Sequence, residues 1–163
     1  MNGRRDRHWP LTLSLLAGVV LMLFPLPNWG EILRPYFIAL ILIYWTVDGS
    51  FRVGLGTAFL LGLFLDVAMA SLLGQHALGL VVMVYLVQRF RSRIRFFPMW
   101  QQSLSVLALL INDRFILLWI LLIQGSRQLD WNFWLAPFVG ALLWPWLFLA
   151  MDHIRSAARS RAR

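Results

Sequence analysis

The chain has 163 residues, of which 60% are hydrophobic and 13% charged, whereas a soluble domain is about 45–50% apolar and about 25% charged. All fifteen basic residues are arginine, seven acids offset them in part, and the net charge is +8. A soluble domain is excluded, and so is a dedicated nucleic-acid binder: the arginines flank long apolar runs, as cytoplasmic loops of membrane proteins do, and cover no folded polar face.

The fold class expected is an all-α integral membrane protein, one six-helix transmembrane bundle over residues 1–152 followed by a basic cytoplasmic tail, 153–163. Cysteine is absent, which removes disulfides and thiol chemistry. The segment MNGRRDRH and the apolar run after it resemble a signal peptide. No A-x-A-like site follows, so the run reads as an uncleaved first membrane helix.

That first helix is expected over 9–24, ended by Pro25 and Pro27, with Trp29 in the next loop suited to a membrane–water interface. The second is expected over 32–47, with Pro35 in its first turn, where a missing N–H costs nothing, and Arg34 snorkelling outward. Both are short, which leaves open a hairpin that does not fully span. After the polar DGS turn, helix three is expected over 52–72. A short connection containing Gly74, Gln75 and His76 leads to helix four over 77–90. His76 reads as a structural hydrogen-bonder at a turn, since a metal site needs three or four convergent ligands.

A basic loop follows, RFRSRIRFFP, with Arg89, Arg91, Arg93 and Arg95 alternating with apolar residues. It suits a cytoplasmic, surface-lying segment that meets anionic lipid headgroups, anchored by Phe96, Phe97 and Trp100. Helix five is expected over 101–123 with Asn112, Asp113 and Arg114 near its middle, and helix six over 133–151, broken by Pro137 and Pro145. With six spans and the N-terminus inside, the cytoplasmic side holds Arg4, Arg5, Arg7, Arg52, the four arginines from 89 to 95, and Arg155, Arg159, Arg161 and Arg163. Only Arg34 and Arg127 fall outside. This split places both termini in the cytoplasm.

Gly54, Ala58, Gly62 and Asp66 recur every fourth residue and form one stripe on helix three. Small residues along a stripe let a neighbouring backbone approach closely, for packing inside the bundle or against a partner. Asp66, Asp113 and Arg114 are the buried polar candidates, because ionisable residues inside membrane segments face protein. Equal depth along helices three and five suggests that Asp66 and Arg114 pair. No catalytic, cofactor-binding or metal-ligating constellation is legible: H-E-x-x-H, G-x-S-x-G and G-x-x-x-x-G-K are all missing. An arginine beside Asp113 also argues against an aspartyl dyad, since it holds a carboxylate ionised.

RPYFIALILIYW, then RxGxGxAFxxGLxxD and LGxHAL, resemble the MreD family of bacterial rod shape-determining proteins. The resemblance is specific over 34–78 and falls on Pro35, Tyr44, Trp45, Arg52, Gly54, Phe59, Gly62, Asp66, Gly74, Ala77 and Leu78. It implies a non-catalytic scaffold of the cell-elongation machinery in the bacterial inner membrane, helping to maintain rod shape by organising peptidoglycan synthesis. The implied partners are MreC, the actin-like MreB, and the elongation polymerase and transpeptidase. It implies helix-packing or interface roles for Pro35, Tyr44 and Trp45, and a fold similar to the substrate-binding subunits of energy-coupling-factor transporters. A small-molecule-binding transporter subunit is the alternative reading.

Overall fold

The structure, a computed structural model, describes residues 9–24, 34–49, 53–125 and 131–160. The expectations for the N-terminal arginines, the loop bearing Trp29, Ser50 with Arg52, Arg127, and Arg161 with Arg163 lie outside them. The described residues form six α-helices: α1 (Trp9–Leu23), α2 (Phe37–Asp48), α3 (Leu55–Ala68), α4 (Gln75–Ile94), α5 (Met99–Ile123) and α6 (Leu135–Ser160). A short 3₁₀ turn, Trp131–Trp134, precedes α6.

The centre is α2. Every residue from Ile38 to Val47 is at most 4% exposed, so this helix buries all its faces, as an all-round apolar helix must. It packs on α1, α4, α5 and α6, while α3, α4, α5 and α6 pack successively against one another. Tyr44 and Trp45 lie in this core. The Tyr44 ring meets Trp45 edge-on at 5.2 Å and Phe148 of α6 at 5.4 Å. Buried tryptophan N–H groups need acceptors; Trp45 donates to Ser14 Oγ of α1 (2.9 Å) and Trp144 to Gln102 Oε1 of α5 (3.4 Å).

The exterior is the reverse of a soluble protein's. Leu16, Leu60, Val67, Trp119, Leu142 and Trp146 all stand exposed around the bundle, and large exposed apolar patches mark protein or membrane interaction surfaces. Next to Val67, which is 71% exposed, Asp66 is 1% exposed. The polar side chain points in and the apolar one out.

Several boundaries differ from expectation. Pro35 lies ahead of α2, not in its first turn; residues 34–36 are non-helical and the Phe37 N–H bonds back to the Pro35 carbonyl at 2.9 Å. Helix three stops at Ala68, not at residue 72. The arginine-rich segment expected as a loop is helical: Arg89, Arg91 and Arg93 belong to α4, and Arg95 is its C-cap. No breaker intervenes before Pro98, and cations in a last helical turn suit the macrodipole. Arg91 then turns back onto the end of α2, donating from Nε to the Val47 carbonyl (3.2 Å) and from Nη2 to the Asp48 carbonyl (3.3 Å). Pro137 sits in the first turn of α6 and does not break it; only Pro145 is interior. The helix also continues through most of the expected tail, and there Arg155 bonds to both Asp48 and Asp152.

At Gly62 the small-residue stripe packs within the chain. An added Cβ at Gly62 would fall 2.2 Å from Ala77 Cα and 2.5 Å from its nitrogen, so the α3 and α4 backbones touch there. Ala58 is fully buried, whereas Gly54 is the N-cap of α3 and has no close neighbour. Gly62→Ala should therefore push α3 from α4 and cost ~1–3 kcal/mol by overpacking. Gly56→Ala, with nothing within 4 Å, is the matched control. Equal unfolding midpoints for the two variants in detergent would contradict the contact.

Candidate functional site

The polar chemistry gathers at the end of the bundle where α3 turns into α4. Here α3 closes in a Schellman arrangement: the Ser71 N–H bonds to the Asp66 carbonyl (2.9 Å) and the Ala70 N–H to the Val67 carbonyl (3.3 Å). The left-handed position falls on Ala70, at φ 50°, although glycine is the usual occupant. Gly74 makes the second left-handed step, at φ 98°.

This turn brings four donors onto the Asp66 carboxylate. Oδ2 accepts the Gly74 N–H at 2.7 Å. Oδ1 accepts the His76 N–H at 2.8 Å, the Ser71 hydroxyl at 3.0 Å and His76 Nδ1 at 2.8 Å. Gly74 is the N-cap of α4 and offers no side chain, so Asp66 supplies the anionic cap from the preceding helix. The expected pair with Arg114 does not form, because the turn saturates the carboxylate first. The equal-depth argument ignored backbone donors, which leave no mark in a sequence.

Ser71, His76 and Asp66 are the residue types of a nucleophilic triad, but the geometry is structural. Ser71 Oγ lies 3.2 Å from His76 Nδ1, the nitrogen already held by Asp66. A triad needs the serine on Nε2 and the carboxylate on Nδ1.

Beside this clasp lies a cavity of about 190 Å³, lined by Arg34, Tyr36, Gln75, His76, Asp113 and Arg114 among others. The Tyr36 ring stands edge-on to His76 at 6.1 Å. Arg34 Nη1 donates to the Met22 carbonyl (2.6 Å) and Nη2 to that of Phe24, closing the C-terminal end of α1. Asp113 packs on α4, where an added Cβ at Gly79 would lie 2.2 Å from Oδ1. Arg114 sits 4.8 Å over the Phe133 ring. Sequence reasoning singled out Asp66, Asp113, Arg114 and His76, and the structure brings all four to one end. It missed Tyr36 and Gly79, which signal nothing without the fold. Arg89, Arg93 and Arg95 are exposed on a separate part of the surface, beside Phe96 and Trp100, which are exposed too.

Removing the acceptor strands buried donors, at ~1–3 kcal/mol each. Asp66→Ala should accordingly be among the most destabilising single changes in the chain. A double-mutant cycle of Asp66→Asn with His76→Ala should show coupling of ~0.5–3 kcal/mol, and the same cycle with Arg114→Gln markedly less. Stronger coupling to Arg114 than to His76, measured by unfolding in detergent, would overturn the clasp.

Comparison with known proteins identifies the family. The family model described as rod shape-determining protein MreD matches residues 4–154. A rod shape-determining protein MreD from Haemophilus influenzae is 35% identical over 156 residues, covering 95% of this chain and 96% of the relative. No solved structure matches. With the match running over nearly its whole length, the chain belongs to the rod shape-determining protein MreD family.

Proposed function

We propose that the chain is a multi-pass scaffold of the bacterial inner membrane, with both termini cytoplasmic, that helps maintain rod shape. In this reading it has no catalytic step. It organises peptidoglycan synthesis by assembling with MreC and, through the complex, with MreB and the elongation polymerase and transpeptidase. The observation that carries the reading is the family match over residues 4–154.

The apolar exterior supports membrane burial. Among the described residues, α5 and α6 are the two helices long and apolar enough to cross a bilayer by length and composition. The arginine distribution supports the orientation. Exposed Arg89, Arg93 and Arg95 beside Phe96 and Trp100 suit anionic headgroups at the cytoplasmic face. Gly62 is taken up in α3–α4 packing, which favours other surfaces for a partner such as MreC; the exposed apolar residues of α1 and α6, Leu13, Leu16, Leu142 and Trp146 among them, are candidates.

The cavity favours a second reading, a small-molecule-binding transporter subunit similar to those of energy-coupling-factor transporters. One depletion experiment separates the two. Depleting the protein in its rod-shaped host should round the cells, with nutrient uptake unchanged. Cells that stay rod-shaped and lose uptake of one nutrient would favour the second reading. A reporter fused after Arg163 should be active only in the cytoplasmic form; a periplasmic signal would remove the six-span topology.

A further inference from the structure

We infer that the cavity at the α1–α2–α4–α5 end binds a small zwitterion, one that carries an oxyanion beside an ammonium group. Its volume of about 190 Å³ exceeds the ~150 Å³ of an engineered cavity that admits benzene. Unlike that cavity it is charged. Asp113 and Arg114 both line it, and neither makes a hydrogen bond or ion pair with any other described residue. As neighbours on one helix they point about 100° apart and do not face each other. The Tyr36 hydroxyl is buried beside them, also without a hydrogen-bond partner.

Both charges are held in place. Asp113 is seated against Gly79, a position that no larger residue leaves room for. Arg114 is steadied over the Phe133 ring. Two oriented, opposite charges with unmet hydrogen-bonding capacity define the complement they need. A simple anion would engage Arg114 and the buried, unpartnered Nε of Arg34 but leave the Asp113 carboxylate unanswered; a simple cation would engage Asp113 and be repelled by both guanidinium groups. A zwitterion satisfies both: its ammonium donates to Asp113, while its oxyanion accepts from the Arg114 fork and the Tyr36 hydroxyl. A guanidinium fork fits carboxylate and phosphate alike. Two sources share this chemistry, a phosphoethanolamine lipid headgroup and a free amino acid.

The full chain, purified in detergent, is offered phosphatidylethanolamine, phosphatidylglycerol, free O-phosphoethanolamine and free alanine in turn. Retained lipid is read by native mass spectrometry and soluble ligand by calorimetry. Retention of phosphatidylethanolamine over phosphatidylglycerol assigns the site to a lipid headgroup; binding of either soluble zwitterion without acyl chains assigns it to a free molecule. Both support the inference. Arg114→Gln should weaken binding about 10-fold or more, the value of one charge-assisted hydrogen bond. Asp113→Asn should abolish the preference for phosphatidylethanolamine over phosphatidylglycerol. Tyr36→Phe removes one oxygen and leaves the ring, so it carries the test if either charge variant fails to fold, and should still weaken binding several-fold. Equal retention of the two lipids by the unmodified chain together with no binding of either soluble zwitterion, or binding unchanged in folded variants, would overturn it.

Discussion

The arrangement depends on one carboxylate that ends one helix and begins the next. A helix terminus leaves backbone groups without partners, and away from water each must be satisfied within the protein. Asp66 answers this twice. Its carbonyl takes the Ser71 N–H that closes α3, and its carboxylate takes the Gly74 and His76 N–H groups that open α4. The reversal is thereby fixed in place and direction. The Gly62–Ala77 backbone contact follows from it, since two helices clasped at one end can stay in touch along their length only where side chains are small. The position of His76, and with it one wall of the cavity, is set by the same bonds.

Around this hairpin the bundle is built from the inside outward. α2 has no polar face, so it is placed by exclusion: the only surroundings that satisfy it are other helices on every side. The polar atoms it carries are handled locally. Thr46 bonds back to the Leu42 carbonyl (2.6 Å), and Trp45 reaches Ser14. Its C-terminal carbonyls are taken by Arg91 from α4, while Asp48 is met by Arg155 from α6. One end of the bundle is therefore tied by arginines reaching carbonyls and carboxylates, and the other by a carboxylate gathering N–H groups, with Arg34 closing the end of α1 beside it. Neither tie needs an amphipathic helix, which suits an assembly whose outside is as apolar as its core.

Hydropathy alone carried the number and order of the helices, because each apolar run is bounded by proline, glycine or charge. The stripe through Ala58 and Gly62 was legible as a face of close backbone approach, inside the bundle or toward a partner, because small side chains at a four-residue spacing leave such a face; the Gly62–Ala77 contact puts one of its positions inside the bundle. Depth arithmetic correctly put Asp66 and Arg114 toward the same end and then paired them wrongly. The true partners of Asp66 are largely backbone N–H groups delivered by a turn whose left-handed position is an alanine, and alanine is no turn signal. Ser71 and His76 were the available clues, two polar residues within ten positions of a buried acid in an apolar stretch. The extent of α4 was misjudged because arginines were read as solvent-seeking, although a helix carries them outward equally well.

The charges in the middle of α5 acquire a reason once helix lengths are compared. α1, α2 and α3 have 15, 12 and 14 residues, or roughly 18–22 Å at 1.5 Å per residue, while α5 has 25 and reaches roughly 37 Å. The cavity beside Asp113 and Arg114 is bounded by Met22 at the end of α1, by Arg34 to Tyr36 just before α2, and by Gln75 and His76 at the start of α4. The shorter helices thus stop at the level where α5 turns polar, and α5 continues past them toward the Trp131–Trp134 turn, where Phe115 meets Trp134 at 5.2 Å. A pair of charges that looks misplaced along α5 is well placed with respect to its neighbours, because their ends leave a polar recess instead of hydrocarbon. Lengthening α1 or α2 by a turn would bury that recess and make the charges intolerable. The brevity of these helices and the Asp113–Arg114 pair are therefore a single structural feature, written in separate parts of the chain.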